Sequence, residues 1–241
     1  MNLLYWLLSP NRVLRFSQFW LNFCIAIFVL LIFVNLYMYL AFDLLDYKQG
    51  PYAQIMFIHV PAAWLSLMLY IMLSFTSLMF IVIRHPLLSQ LSNALCLCSL
   101  ACVIITLVTG SLWGKPTWGT WWVWDARLTS VLILFIILVG IYALKKSFSD
   151  SLQGSIAASI LTLLGLINIP IIRFSVDWWN TLHQPSSITI FGSHIHYSIL
   201  LLLLSSFLDL FFFFSIIVLI HLRAVVLESK LTRSPIFKHE K

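Results

Sequence analysis

The sequence predicts an all-α integral membrane protein with six transmembrane helices. Of its 241 residues, 61% are hydrophobic and only 9% are charged, whereas soluble domains carry about 25% charged residues. No soluble core of this size buries so much apolar surface, so lipid must cover it. Backbone in lipid satisfies its own hydrogen bonds, which favours helices over open strands. The hydrophobic segments follow one another throughout, so we expect a single domain over residues 1–241.

Six segments are long and apolar enough to cross a bilayer, which takes about 20 residues. Pro61 lies near the start of the second segment, where its missing N–H costs least. Pro170 lies near the end of the fifth, where it predicts a kink. No small-residue cleavage site follows a short apolar region, so we expect no cleavable signal peptide. The predicted spans are Phe19–Ala41, Ile58–Ile83, Leu91–Leu112, Leu128–Leu144, Gly154–Ile172 and Ile195–His221.

The positions of lysine and arginine predict that both termini lie in the cytoplasm. These residues are more frequent in cytoplasmic segments than in exported ones. The termini and the loops on their side carry ten of them: Arg12, Arg15, Arg84, Lys145, Lys146, Arg223, Lys230, Arg233, Lys238 and Lys241. The opposite side carries four: Lys48, Lys115, Arg127 and Arg173. The loops 42–57, 113–127 and 173–194 are therefore expected to face outward.

Charge and motif content argue against several functions. The net charge is +6, but the basic residues are spread along the chain, which does not suggest a nucleic-acid partner. There is no Gly-rich phosphate loop and no nucleophile with a nearby base. The cysteines form no C-x-x-C pair and lie in apolar stretches, so we interpret them as small buried hydrophobic residues. They are Cys24, Cys96, Cys98 and Cys102.

Tryptophan is concentrated in two of the outward loops. An aromatic belt at the membrane surface explains one or two indoles at a helix end, but not five within twelve residues on one side. Rigid indole faces, each with one N–H, suit a planar hydrophobic ligand, and Gly114 and Gly119 let the backbone approach it closely. The loop tryptophans are Trp113, Trp118, Trp121, Trp122 and Trp124, with Trp178 and Trp179 in the last loop as secondary candidates.

Asp125 and Arg127 end the tryptophan-rich loop, and each has two interpretations. Asp125 is suited to cap the fourth span, and Arg127 is suited to extend its charge to the membrane surface. Alternatively, Arg127 pairs with a ligand carboxylate through its two-pronged guanidinium, and Asp125 orients Arg127 or an indole N–H.

Two histidines are placed to act as ligands at the same outer level. His59 lies in FIHVPAAW, and His183 lies in WWNTLHQPSS. Two imidazoles are too few for a structural zinc site, which takes four ligands. They are the right number for the two axial positions of a haem iron. His194 and His196, at the start of the sixth span, remain open as a spare ligand, a partner contact or an interface residue.

Asp209 lies near the middle of the sixth span, in SSFLDLFFFF. A carboxylate inside the membrane is costly, so it indicates a paired or functional group. Our hypothesis for Asp209 is a contact with another membrane subunit.

Three blocks of this sequence resemble a known family. WGTWWVWDARLTS resembles the WWD signature of a superfamily of haem-handling membrane proteins. FIHVPAAW and FSVDWWNTLHQPSS are similar to two further blocks of its CcmC family, which belongs to system I cytochrome c maturation. The resemblance covers nearly the whole chain. The related CcmF and CcsA families have longer chains and more spans, so they fit less well.

The resemblance implies a membrane protein that binds haem b without a covalent bond at the periplasmic face of the bacterial inner membrane. It implies delivery to the haem chaperone CcmE, and partnership with the small membrane protein CcmD and with the CcmA and CcmB subunits of an ABC-type complex. Such a protein is not an enzyme, because it orients haem and leaves bond formation to haem and chaperone. The family's axial pair corresponds to His59 and His183. Its platform corresponds to Trp113, Trp118, Trp121, Trp122, Trp124, Asp125 and Arg127.

Two rival functions use the same outer site. A haem exporter or permease subunit of an ABC-type complex needs a path through the helices, and the spans offer few polar residues to line one. An oxidoreductase that passes electrons through haem needs a reducible haem and an electron-carrying partner such as a quinone. A haem spectrum, or its absence, distinguishes these functions from haem delivery.

Overall fold

The computed structural model describes residues 9–42, 50–183, 188–189, 192–193 and 195–233. Over these ranges the chain is helical apart from short connections and one pair of two-residue strands. The elements are α1 (Pro10–Ala41), a 3₁₀ helix (Pro51–Ile55), α2 (Met56–Ile83), α3 (Pro86–Trp118), α4 (Ala126–Ser147), α5 (Ser151–Gly165), α6 (Asn168–Trp178), β1 (Ile188–Thr189), β2 (Gly192–Ser193) and α7 (Tyr197–Arg233).

Six segments are long and apolar enough to span a membrane, which confirms the predicted number of spans. The 3₁₀ helix and α2 form one of them, and α5 and α6 form another. Several helices extend past the predicted limits, because hydrophobicity marks only the part of a helix that lies in lipid. In particular, α3 runs to Trp118 and α4 begins at Ala126. The tryptophan-rich segment expected as a loop over 113–129 is therefore helical at both ends, with its connection at 119–125.

Side-chain caps define several of the helix starts. The Asp125 carboxylate accepts from the Leu128 N–H at 2.7 Å, and the Asp150 carboxylate accepts from the Leu152 N–H at 2.8 Å. These bonds satisfy backbone donors that the first turn of a helix leaves unpaired. Gly119 ends α3 with φ +79°, a left-handed conformation that favours glycine. The chain can therefore turn sharply from α3 into the segment that carries Trp121 and Trp122.

The fifth span is broken between α5 and α6. Pro170 is the third residue of α6 and has no N–H to donate to the Leu166 carbonyl. The backbone tightens there, because the N–H of Ile169 donates to the Leu166 carbonyl at 3.1 Å, three residues back rather than four. The break between α5 and α6 corresponds to the kink expected near Pro170. It lies at Leu166, whose carbonyl lacks the hydrogen bond that Pro170 cannot donate. It sets the direction of α6, which supports one wall of the site.

Helix α2 lies at the centre of the bundle, in contact with α3, α5 and α7. Its Tyr70 is fully buried and donates a hydrogen bond to the Thr162 carbonyl on α5 at 3.0 Å. By contrast, α1 lies at the periphery, where it packs on α7 and exposes much of its apolar surface. The core thus holds α2 and α3 firmly, while α1 and α7 present apolar faces suited to lipid.

Candidate functional site

A cavity of about 520 Å³ lies at the end of the bundle where α3 ends and α4 begins. This volume is in the range of small-molecule and cofactor sites, roughly 300–1,000 Å³. Its walls come from α2, α3, α4, α6 and α7, together with the segment after α6. Both His59 and His183 line it, so the fold brings together two histidines that are 124 positions apart in the printed sequence.

The His59 imidazole is fixed by a hydrogen bond to α3. Its Nδ1 lies 3.1 Å from the Thr109 hydroxyl oxygen. The Thr109 hydroxyl donates its only proton to the Ile105 carbonyl at 2.6 Å, so its oxygen accepts from the His59 Nδ1–H. The proton is therefore held on Nδ1, and the lone pair lies on Nε2.

Gly110 makes the room that the His59 ring occupies. A Cβ atom at this position would lie 3.0 Å from Cε1 of His59, closer than side chains normally approach. Trp113, which lies on α3 like Gly110, packs against the His59 ring. The centroids of these two rings are 5.8 Å apart and their planes are nearly perpendicular. Thr109, Gly110 and Trp113 fall on one face of α3, and that face sets the position of His59.

The His183 imidazole is held by Asp125. Its Nδ1 lies 3.1 Å from the Asp125 Oδ2, and Thr181 donates its hydroxyl proton to the same oxygen. Because the other carboxylate oxygen caps α4 through the Leu128 N–H, one side chain joins the start of α4 to the segment after α6. Trp118 packs against the His183 ring at a centroid distance of 4.9 Å.

The charges of this pair follow from its surroundings. Burial acts to raise the pKa of Asp125, but hydrogen bonds from Leu128, Thr181 and His183 outweigh it, and the pKa lies below its ordinary value. Burial lowers the pKa of His183, and the bond to Asp125 only partly offsets this. Asp125 is thus an anion that accepts from the Nδ1–H of a neutral His183. The Nε2 lone pair of His183 is left available, as in His59.

The tryptophans expected to form one platform divide into two groups. Trp113, Trp118 and Trp122 line the cavity. Trp121 and Trp124 are 54% and 76% exposed, and Lys115 lies over the Trp121 ring. Trp124 packs its edge against Trp122, with the ring centroids 5.5 Å apart. Trp124 therefore reaches the cavity only through Trp122.

Three of the secondary candidates, Trp178, Trp179 and His196, do not line the cavity. Trp178 and Trp179 are half exposed, and Trp178 stacks on Phe174. His196 is exposed, and its Nδ1 bonds the Ser198 hydroxyl at 2.8 Å. His194 lies outside the described residues.

Arginines lie at the side of the cavity formed by α4 and α6. The Arg127 Nε donates to the Ser175 hydroxyl at 3.2 Å, and its guanidinium also approaches the Arg173 carbonyl. Arg127 and Arg173 both line the cavity and interact electrostatically. Asp125 and Asp177 also act electrostatically on Arg127. The hydrogen bonds of Asp125 go to His183, Thr181 and Leu128, and Ser175 accepts from Arg127. The hypothesis that Asp125 orients Arg127 or an indole N–H stays a prediction.

Asp209 does not line this cavity and lies in a polar cluster between α1 and α7. The Ser205 hydroxyl donates to the Asn35 side-chain oxygen, and Asn35 also interacts with the Asp209 carboxylate. The Oδ1 atom of Asp209 is buried and has no hydrogen-bond partner within the described ranges. The sequence analysis did not single out Asn35, because one amide in an apolar span gives no signal of which helix it faces.

The residues around the cavity match the chemistry of haem. Two neutral imidazoles present lone pairs on Nε2, as the axial positions of the iron require. Indoles supply apolar surface, and arginines suit the two propionates. The Trp122 Nε1–H is buried and has no acceptor among the residues that the structure describes. A donor left unpaired at a cavity wall indicates that a ligand atom accepts from it.

The fold and the site define a multi-pass membrane protein with a histidine- and tryptophan-lined cavity at one end of its helix bundle. The chain belongs to the CcmC family, described as Heme exporter protein C, whose family model matches residues 3–236. Membership places it among the haem-handling proteins of cytochrome c biosynthesis.

Curated relatives agree with this membership. A Heme exporter protein C of Bradyrhizobium diazoefficiens is 49% identical over 77% of this chain and 70% of its own length. A putative cytochrome c biosynthesis ccmC-like mitochondrial protein of Marchantia polymorpha is 43% identical over 88% of this chain and 89% of its own. The Heme exporter protein C of Escherichia coli strain K12 is 46% identical over 59% of this chain and 58% of its own.

Proposed function

We propose that this protein binds haem b non-covalently between His59 and His183 and presents it to the periplasmic chaperone CcmE. The observation that supports it most directly is the shared arrangement of the two imidazoles. Each has its Nδ1–H engaged by a hydrogen-bond acceptor and lines the same cavity. Iron-binding histidines characteristically have this second bond, which fixes the ring and its tautomer.

The cavity walls favour binding and orientation without a bond-forming reaction by the protein itself. Trp113, Trp118 and Trp122 offer apolar surface to the macrocycle, and Arg127 with Arg173 offers positive charge to its propionates. The propionate edge then lies toward α4 and α6. The opposite edge, which carries the vinyl groups, is left for the chaperone. Such a protein acts by positioning its cargo.

Location and partners complete the proposal. The lysine and arginine distribution favours a cytoplasmic location for the termini, and therefore a periplasmic location for the cavity of a bacterial inner-membrane protein. We propose CcmD and the CcmA and CcmB subunits as membrane partners. Asp209 is a candidate contact for one of them, because a buried carboxylate oxygen that has no partner in the described part of the chain favours a donor from a neighbouring subunit.

The alternative is a haem exporter or permease subunit, which needs a route for haem between the helices. Buried hydroxyls in the spans, such as those of Ser74, Thr106 and Ser159, donate to carbonyls of their own helices. A cavity near Lys145, toward the other end of the bundle, encloses about 10 Å³, the room of about one water molecule. These features favour presentation of haem over its passage through this chain alone.

An absorption spectrum of the detergent-purified protein, expressed with added haem, tests the proposal. We expect a Soret band in the wild type that fades or shifts in both His59→Ala and His183→Ala. His196→Ala is the matched control, because His196 is exposed at the same end of the bundle and does not line the cavity. It should keep the wild-type band.

Each other result selects another function. If the band is unchanged in both cavity variants, the assignment of His59 and His183 as axial ligands is wrong. His194 is then the next candidate ligand. No band in any sample favours the permease. A spectrum that a quinone changes favours electron transfer. If the axial pair holds, copurification of haem with CcmE, wild type against His183→Ala, tests delivery.

A further inference from the structure

We infer that the two axial positions are unequal, and that His59 is the ligand that releases the iron first when haem is handed over. This inference rests on the proposed function. It assigns Thr109 and Asp125 as positioning residues that set the difference through the imidazoles they hold.

The hydrogen-bond acceptor at His59 is neutral. Its Nδ1–H points to the Thr109 hydroxyl oxygen at 3.1 Å. The Thr109 hydroxyl is committed to the Ile105 carbonyl at 2.6 Å, so it has no proton with which to reverse the bond. A neutral oxygen attracts the Nδ1 proton only weakly and so adds little electron density to the ring. The basicity of Nε2 is therefore close to that of an ordinary histidine.

The acceptor at His183 is a carboxylate. Asp125 Oδ2 lies 3.1 Å from Nδ1, and the same side chain is held by the Leu128 N–H at 2.7 Å and by the Thr181 hydroxyl. Three donors on one carboxylate keep it ionised and oriented. Hydrogen bonds to a charged acceptor are about twice as strong as those between neutral groups.

This difference passes to the iron through the imidazoles. A carboxylate on the distal N–H raises the basicity of a ligating histidine, and outer partners of this kind change metal affinity by about 10- to 100-fold. His183 is therefore the stronger donor. The His59 ring lies over Gly110, where a Cβ would come within 3.0 Å of Cε1.

The hand-over step is a ligand exchange. The bond between the iron and His59 Nε2 breaks, and a donor atom of the acceptor protein bonds to the iron in its place. The iron keeps its oxidation state, and no proton leaves, because His59 retains its proton on Nδ1. His183 remains bound until the new bond has formed, so the haem is never released to water.

Carbon monoxide is the probe for the first ligand to leave. When the haem-loaded protein is reduced and mixed with carbon monoxide in a stopped-flow instrument, the rate at saturating gas equals the rate at which an axial histidine dissociates. Thr109→Val removes the hydroxyl oxygen but keeps the shape of the side chain. We expect this rate to rise about ten-fold. Thr109→Ser, which keeps the hydroxyl, should return it to the wild-type value.

Asp125→Asn provides the comparison on the other side. Asparagine still caps a helix, but it removes the negative charge beside His183. We expect no acceleration, since the limiting bond is the one to His59. The iron–carbon stretching band of the wild-type adduct should match that of His59→Ala, because His183 then lies opposite the gas in both.

The outcomes are separable. A six-coordinate spectrum with a faster rate in Asp125→Asn than in Thr109→Val, or an adduct that matches His183→Ala, overturns the inequality and leaves the axial pair intact. A wild-type spectrum that is not six-coordinate, or that neither histidine variant alters, overturns the proposed function and this inference with it. If neither histidine variant retains haem, the adduct bands cannot be compared. The carbon monoxide rates of Thr109→Val and Asp125→Asn then decide which histidine leaves first.

Discussion

Single side chains on α3 determine how His59 is presented. The sequence marks His59 by its place in FIHVPAAW, but Thr109 and Gly110 look like ordinary small residues of an apolar span. Their importance follows from the helical period, which puts them on the same face as Trp113. A search for small residues one turn before a tryptophan would have found that face. It would not have shown which histidine packs on it, because that depends on how α2 lies along α3.

Gly110→Ala should impair the site without unfolding the protein. The new Cβ would meet His59 Cε1 at 3.0 Å and displace the ring. We expect haem retention to fall about ten-fold, in the range of outer-sphere effects on a metal site. Haem per protein after purification, from the Soret band, measures it.

Gly140→Ala is the control for this change. Its Cβ would lie 3.3 Å from the end of the Leu161 side chain, away from the cavity. It should leave the haem content unchanged. Equal haem loss in both variants would mean that the effect at Gly110 is general to the bundle and not local to His59.

Asp125 is a residue whose local role could be predicted and whose long-range role could not. A carboxylate followed by the apolar run of α4 is a recognisable helix cap, and the bond to the Leu128 N–H is present. The partnership with His183 joins residues 58 positions apart. No local pattern carries that information.

Among the elements, α2 and α5 pack closely where Gly165 faces Tyr70. Gly165 has no room for a Cβ, which would overlap the Tyr70 hydroxyl and come within 2.8 Å of Ile137 Cγ2. Since small residues allow helices in membranes to approach closely, the sequence marks glycine as a candidate for such a site. The identity of the facing tyrosine emerges only from the fold.

Gly165→Ala should lower the free energy of unfolding by about 1–3 kcal/mol, as overpacking of a core does. Tyr70→Phe should cost about 1 kcal/mol through the lost hydrogen bond to Thr162. The double variant should be less destabilised than the sum of the two, because removal of the hydroxyl relieves most of the clash. Thermal unfolding midpoints in detergent test this; strict additivity would contradict the close packing.

The pairing of α1 with α7 depends on a polar cluster within the membrane. Asn35→Ala removes the hydrogen bond from Ser205 and the interaction with Asp209. Polar contacts between membrane helices contribute about 0.6 kcal/mol each, so we expect a loss of about 1 kcal/mol in unfolding experiments. Asn22→Ala is the control, because Asn22 is exposed on the same helix and bonds only Gln18 in its own chain segment. A similar loss in both variants would contradict the role of the cluster.

At the scale of the whole molecule, the number of spans was predictable, but the extension of α3 that carries part of the site was not. Hydropathy identifies each apolar run, since lipid imposes a minimum length. It does not show that α3 continues to Trp118, because helical residues beyond the bilayer need not be apolar. Hence Trp113 and Trp118 were expected on a loop, whereas they project from a rigid helix into the cavity. This rigidity makes the cavity a preformed site.

The orientation of the bundle can be tested by labelling. Lys115 lies at the cavity end of α3 and Lys146 lies at the far end of α4, both at exposed positions, and each can be replaced by cysteine. The four native cysteines are buried, so they give little background. We expect a membrane-impermeant maleimide to label Lys115→Cys in spheroplasts, and Lys146→Cys only after lysis. The reverse pattern would place the termini outside and the cavity in the cytoplasm.

The indoles around the cavity have an optical consequence. Trp118 touches His183, and Trp122 and Trp124 form a T-shaped pair. Haem absorbs light at the wavelengths where indole emits, so energy passes from these rings to a bound porphyrin. Under the proposed function, the protein would contain its own fluorescent reporter. Arrival of haem would quench the emission and transfer to the chaperone would restore it, so each transfer could be followed in time without any added dye.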